Sequence, residues 1–179
     1  IGVSDCIPTE PSMYSLLETK NRVKQYFNDI NDLTYLKDLL EKEKPDFVFH
    51  LAAQALVRDG YRDPLKTFNT NILGTANILQ SLSNKDSVRV AVMITTDKVY
   101  KNKETIRPYN EDDILGGTDP YSASKAASEI IISSYKDILL QNKNINIGSA
   151  RAGNVIGGGD WSKERLIPDI IRAWNEGKK

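Results

Sequence analysis

The stretch Val88-Arg89-Val90-Ala91-Val92-Met93-Ile94, followed at once by Thr95-Thr96-Asp97-Lys98, decides the fold. A short, nearly continuous apolar run rich in β-branched residues predicts a buried strand rather than a half-exposed one. Working outward, the same kind of run recurs upstream in Asp46-Phe47-Val48-Phe49-His50-Leu51 and downstream in Ile145-Asn146-Ile147-Gly148-Ser149-Ala150. Val23 to Ile30 holds a further strand-like patch. Helical patterns stand between these runs. Asn31 or Asp32 caps a segment whose Leu33, Leu36, Leu39 and Leu40 share one face. Asp63-Pro64 reads as an N-cap followed by proline at the first helical position, and Leu65, Phe68, Ile72, Ala76 and Leu79 recur at helical spacing behind it. Pro120 opens a long helix running to about Gln141. Strand and helix alternating through short connections predict an α/β fold: a doubly wound, mainly parallel, Rossmann-like sheet covered by helices on both faces.

Composition narrows the function. The 179 residues predict about one domain, and 24 basic against 24 acidic residues leave no basic excess for nucleic acid or an anionic membrane surface. No apolar stretch is long enough to span a bilayer, and no signal peptide is visible. One cysteine, Cys6, and one histidine, His50, rule out an internal disulfide and a Cys/His metal site, so no metal is expected. Cys6 reads as a reduced thiol of a cytoplasmic protein, and His50 as a satisfied core histidine. Asp112-Asp113 and Glu41-Lys42-Glu43-Lys44 read as solvated surface, and Trp161 and Trp174 as packing residues. Both ends look cut: the chain opens on Ile1-Gly2-Val3 and stops in Gly177-Lys178-Lys179.

In sheets of this class, ligands bind at the carboxyl ends of the strands. That rule singles out Asp29-Ile30, Leu51-Ala52-Ala53-Gln54, Thr95-Thr96-Asp97-Lys98 and Ala150-Arg151-Ala152-Gly153-Asn154. Small residues there either admit a flat cofactor to the backbone or simply pack. The most chemical spacing is Tyr121-Ser122-Ala123-Ser124-Lys125. Positions i and i+4 share a helix face, so the Lys125 ammonium can lie near the Tyr121 phenol and favour the phenolate. Such a tyrosine is a credible general base for an alcohol. Alone, such a pair is mostly an accident of a helix surface. Thr95-Thr96-Asp97 at the end of the preceding strand adds a hydroxyl for the same substrate oxygen.

With these motifs the chain resembles the extended short-chain dehydrogenase/reductases, and among them the nucleotide-sugar 4,6-dehydratases. Three stretches resemble the CDP-glucose branch: residues 49–58, residues 119–125, and Arg151-Ala152-Gly153-Asn154-Val155-Ile156-Gly157-Gly158-Gly159-Asp160-Trp161. Thr9-Glu10-Pro11-Ser12 resembles that branch's loop after the second strand. The family's Gly-x-x-Gly-x-x-Gly turn is missing, which puts the start of the chain at or just after the second strand. A piece of this kind is expected to bind NAD poorly, and, with only the start of the substrate-domain elements after about residue 151, to be inactive by itself.

The resemblance implies a set of roles around bound NAD. Asp29 and Ile30 flank the adenine. Leu51, Ala52, Ala53 and Gln54 line the pyrophosphate and ribose path, and Asn71 sits behind the cofactor or else is an exposed helix polar. Thr95 lies beside the nicotinamide ribose, and Lys125 donates to the ribose hydroxyls while tuning Tyr121. Thr96 holds the sugar. Asn154 contacts the sugar nucleotide's phosphates, and Leu166, Ile167 and Pro168 lie along the nucleotide. The implied reaction oxidises C4, eliminates water across C5 and C6, and returns the hydride to C6. Tyr121 takes the C4 hydroxyl proton, and Asp97 and Lys98 stand where the family keeps its elimination acid and base. Lys98 either loses its proton to act as a base or stays charged and supports Asp97 or the developing enolate. The expected substrate is CDP-glucose. An inverting UDP-N-acetylglucosamine 4,6-dehydratase, an epimerase and a non-catalytic binding module on the same fold are the alternatives. Ile130-Ile131-Ile132 and the surplus of Ile72, Leu73, Ile78 and Leu79 imply a homodimer through two helices.

Overall fold

The computed structural model describes residues 1–17, 21–83, 85–104, 106–143 and 145–178, and side chains are described except at 140–143. Lys179 therefore lies outside the described residues. The chain divides into two compact units, Ile30–Gly153 and Ile1–Asp29 with Asn154–Lys179.

The larger unit carries a parallel sheet of β3 (Phe47–His50), β4 (Val90–Thr96) and β5 (Asn146–Ala152), with β4 central. The decisive apolar run is thus the middle strand. Phe47 pairs with Val90, and Val90 with Asn146, so the three strands end side by side at His50, Met93 and Ser149, with β4 and β5 continuing to Thr96 and Ala152. Helix α2 (Leu33–Glu43) buries Leu36 and Leu39 as the spacing predicts, and it is capped by Asp32, whose carboxylate accepts from the Tyr35 amide at 2.9 Å. Helix α3 (Val57–Arg62) precedes α4 (Pro64–Phe68), which Asp63 caps by accepting from the Lys66 amide at 3.0 Å. The core gathers Leu79, Leu82, Val88, Ala91, Met93, Ile132, Leu139, Ile145 and Ile147. Phe47 and Phe49, on the opposite face of β3, are exposed.

The helix after Pro64 departs from the expected single period. A π-helical turn, Asn69–Leu73, separates α4 from α5 (Gly74–Leu82). The wider turn rotates the apolar stripe, so Leu65 is 79% exposed while Leu79 is fully buried. One regular helix would have put both on the same face. Gly74 follows the wide turn because a Cβ there would stand 2.4 Å from Ile30 Cδ1. Helix α6 (Pro120–Lys143) packs on β4, β5 and α5. Its first turn is capped by Asp119, whose carboxylate accepts from the Ser122 amide at 3.0 Å. Of the three consecutive isoleucines, Ile132 is buried, Ile131 packs against the core rim, and Ile130 is 62% exposed.

In the smaller unit, β1 (Gly2–Ser4) pairs in parallel with β2 (Gln25–Phe27). It also holds the short α1 (Met13–Leu16), capped by Ser12, and α7 (Leu166–Asn175). Gly159, at φ +86, lies so close to Met13 that a Cβ would meet Met13 Cβ at 2.7 Å. Arg172 donates to the carbonyls of Trp161 and Ser162 at 3.0 and 2.9 Å, which ties the glycine-rich loop to α7. Trp174 corrects its expected packing role: it is 79% exposed on an α7 face that also leaves Leu166 and Ile170 exposed among the described residues.

Candidate active site

The carboxyl end of β4 is built from side chains that α6 and the π-bulged helix bring to it. Tyr121 opens α6, half-buried, and Lys125 follows one turn later. Lys125 is 5% exposed, and its Nζ donates to the Ile94 carbonyl at 3.1 Å. Burial pushes its pKa down to about 8, with the Glu129 carboxylate pulling the other way. At pH 7 the cation therefore still exceeds the free amine by roughly tenfold. Two glycines seat the start of α6. A Cβ on Gly117 would fall 2.3 Å from the Ala123 amide, and one on Gly60 would fall 3.4 Å from the Tyr121 amide.

Thr95 and Thr96 point their hydroxyls to different tasks, as alternate strand positions must. Thr95 donates to the buried Glu129, so its side chain is committed and what it offers a ligand is backbone. Thr96 donates to Asp97 Oδ1 at 3.2 Å and accepts from the Lys98 amide at 3.3 Å. It thereby caps the 3-10 turn Asp97–Val99, which packs against α6. Asp97 and Lys98 are both exposed. Gly153, after β5, leaves room beside Asp97: a Cβ there would lie 3.6 Å from Oδ2.

Asn71 is a buried clamp, 1% exposed, in the π-helical turn. Its Oδ1 accepts from the Gln54 amide at 2.8 Å, and its Nδ2 donates to the Gln54 carbonyl at 3.0 Å and to Ser124 Oγ at 2.9 Å. Ser124 in turn donates to the Tyr121 carbonyl at 2.7 Å. The segment after β3 is therefore fixed to the helix that carries Tyr121. The wide turn frees the Asn71 carbonyl, which accepts from Thr75 at 2.6 Å and from Ser128 at 2.9 Å. Since Thr75 donates there, it accepts from His50 Nε2 at 3.1 Å, which sets the neutral tautomer. Burial, then the nearby Lys125 charge, lower the His50 pKa to about 4. His50 is the satisfied core histidine the sequence predicts.

The chain matches the GDP-mannose 4,6 dehydratase family over residues 11–179.

The chain belongs to that family.

A curated relative, the CDP-glucose 4,6-dehydratase of Salmonella typhimurium, is 38% identical over 177 residues, covering 96% of this chain and 49% of its own length. The chain thus spans about half the length of that relative. The UDP-glucuronic acid 4-epimerase of Bacillus cereus, solved with UDP-glucuronic acid and NAD, is 26% identical with a TM-score of 0.76, over 92% of this chain and 49% of that one. A double mutant of DesIV, the dTDP-glucose 4,6-dehydratase of Streptomyces venezuelae solved with NAD, is 24% identical with a TM-score of 0.78, over 91% and 48%. At that identity the likeness is one of fold. The Rossmann-like parallel fold expected from the strand pattern is the fold of these neighbours.

Within this family fold, the larger unit brings together Gln54, Asn71, Thr95, Thr96, Asp97, Lys98, Tyr121 and Lys125. Leu51 is exposed and Ala52 and Ala53 are half-buried at the end of β3, and Ile30 is buried against Gly74. Asp29 is exposed and belongs to the smaller unit, as do Asn154, Leu166 and Ile167, all exposed, and the buried Pro168. Sequence reasoning missed Glu129, Arg151 as its partner, and the glycines at 60 and 117. Glu129 was legible as the third member of an i, i+4, i+8 stripe with Tyr121 and Lys125. The glycines carry no local signal, because the atoms they make room for are distant in sequence.

Proposed function

We propose that the full-length protein is an NAD-dependent nucleotide-sugar 4,6-dehydratase acting on CDP-glucose and releasing the 4-keto-6-deoxy sugar. The observation that carries the reading is the buried Lys125, anchored to the carbonyl of Ile94 one turn after Tyr121 and two residues ahead of Thr96-Asp97-Lys98. A buried ammonium at that place favours the Tyr121 phenolate, and a phenolate is a base for the sugar's C4 hydroxyl. Thr96 contacts the same oxygen. Asp97 and Lys98, exposed on the turn that Thr96 caps, take the acid and base parts of water loss from C6 and C5. When bound, NAD would supply the acceptor for the C4 hydride and the donor that returns it to C6.

The chain's residues fit such a cofactor in part. The Leu51-Ala52-Ala53-Gln54 segment presents backbone that Asn71 clamps at Gln54, with only methyl side chains at Ala52 and Ala53 and the Gln54 side chain turned to Leu56 and Thr67. Asp29 and Ile30 are the residues assigned to the adenine; Thr95 would offer backbone to the ribose, and Lys125 would donate to the ribose hydroxyls. Asn154, Leu166, Ile167 and Pro168 are the residues for the nucleotide. The 38% identity to a CDP-glucose 4,6-dehydratase supports the choice of CDP. A C4 epimerase has no use for an acid–base pair at 97 and 98. Exposed Leu73 in the π-helical turn and exposed Ile130 on α6 support a homodimer through the two helices that carry them. No described helix is long and apolar enough to cross a membrane, and a single cysteine, Cys6, in 179 residues supports the cytoplasm.

The test is incubation of full-length protein with CDP-, dTDP- and UDP-glucose, with the 4-keto product followed by its absorbance in alkali. CDP-glucose should turn over fastest. Asp97→Asn should slow elimination more than oxidation, so that rapid quench shows 4-keto-glucose accumulating. Release of a C4 epimer, or no product from any of the three, would overturn the reading.

A further inference from the structure

Glu129 is the buried charge on α6 that this chemistry leaves unused. It follows Tyr121 and Lys125 on the same helix face. Its carboxylate accepts from Thr95 Oγ1, from Ser149 Oγ at 3.0 Å and from Arg151 Nη2 at 3.2 Å, and Arg151 Nε lies 3.2 Å from Oε1 in the same ion pair. Both oxygens are engaged by donors. Burial alone would raise its pKa, but the bonds from Arg151, Thr95 and Ser149 outweigh burial and lower it. Glu129 is therefore ionised inside the protein.

Lys125 and Glu129 grip adjacent residues of one strand. Lys125 donates to the Ile94 carbonyl, and Glu129 accepts from the Thr95 hydroxyl. Two successive turns of α6 are thus strapped to the last residues of β4 before Thr96 and Asp97. The groups that face this strap come from every neighbouring element. β3 contributes His50, which the Lys125 charge disfavours as a cation. β5 contributes Ser149 and Arg151, the π-helical turn contributes Asn71 through Ser124, and α6 contributes Tyr121. The turn after β4 contributes Asp97 and Lys98, both exposed. Among the described residues, Glu129 is the sole buried carboxylate. Neutral donors and acceptors suffice to dock a helix on a strand, whereas a carboxylate placed beside a buried ammonium supplies charge as well.

We propose that Glu129 is a positioning residue for the redox centre, holding Lys125 against the end of β4 and supplying the negative charge that its ammonium faces. The inference rests on the reading of Tyr121 as the redox base, and its readout does not need turnover. Full-length protein labelled with lysine carrying carbon-13 at Cε is titrated by NMR, the Lys125 signal being assigned by its loss in Lys125→Met. In Glu129→Gln the Lys125 midpoint should fall by about one pH unit or more, the usual effect of removing a close opposite charge. Glu129→Asp keeps the charge and should leave the midpoint close to wild type. The alkaline limb of kcat/KM should move down with the NMR midpoint in Glu129→Gln and hold its place in Glu129→Asp. If Glu129→Gln fails to fold, Arg151→Gln strips Glu129 of its counter-charge, and the Lys125 midpoint must then rise above wild type. A midpoint at or above wild type in folded Glu129→Gln, or at or below wild type in Arg151→Gln, overturns the inference, whatever the turnover. A shifted midpoint in a protein that dehydrates no nucleotide sugar overturns the dehydratase reading instead and leaves the strap in place.

Discussion

Acid should unfold this protein through His50. In the folded larger unit the imidazole is buried, donates to Thr75 and faces the Lys125 charge, and its pKa drops from 6.5 to about 4. In the unfolded chain it titrates at its ordinary value. Between those two values the unfolded state holds a proton that the folded state refuses. Stability then rises with pH across that window. The His50 contribution is fully present above the unfolded pKa and is lost as pH falls from 6.5 toward 4. A gap of about 2.5 units at 1.36 kcal/mol each amounts to about 3 kcal/mol, a large part of the 5–15 kcal/mol that holds a typical domain. His50 is the sole histidine of the 179 residues, so nitrogen-15 imidazole spectra of this chain report it without overlap. The folded midpoint should lie near 4, and the urea midpoint of unfolding should fall with pH across the window. Carboxylates also titrate there, so the informative quantity is the difference between wild type and His50→Gln, which cannot take up the proton and should lose less. A folded imidazole that titrates at 6 or above, or a His50→Gln variant that loses stability as steeply as wild type, refutes the reasoning.

Other perturbations separate structural from chemical roles. Asn71→Ala removes three hydrogen bonds and strips a buried partner from Gln54 and Ser124; it should cost about 2–4 kcal/mol in urea unfolding, and a loss under 1 kcal/mol would mean that water replaces the clamp. Tyr121→Phe in the full-length protein should lower turnover by roughly 10²–10⁴ with stability little changed, and near-normal turnover would remove Tyr121 from the role of base. Ile130→Glu places a charge on an exposed apolar position of α6; it should convert a dimer to monomers in sedimentation, and a wild-type protein that is monomeric at micromolar concentration would refute the dimer.

The three strands of the larger unit, the caps at Asp32 and Asp63 and the shared face of Tyr121 and Lys125 were legible in local sequence, because each rests on neighbours a few residues apart, whereas β1, only three residues long, carries too little pattern to be read. The run Val88–Ile94 reads as a central strand since only a strand covered on its faces tolerates so few polar residues, and it is central between β3 and β5. Asp32, Asp63 and Asp119-Pro120 announce helix starts through chemistry confined to one turn. Tyr121 and Lys125 show their common face through helical spacing alone. What sequence did not determine depends on partners far along the chain. The π-helical turn at Asn69–Leu73 has the composition of an ordinary helix, and it exists where Asn71, Thr75 and Ser128 share hydrogen bonds with each other, with Gln54 and with α6. Glu129 looks like a surface glutamate until β5 sets Arg151 and Ser149 against it. Gly117 looks like loop filler until the first turn of α6 closes on its Cα. Charge burial and close backbone approach are properties of the packed unit, which is why only the tertiary structure decided how Lys125 is held.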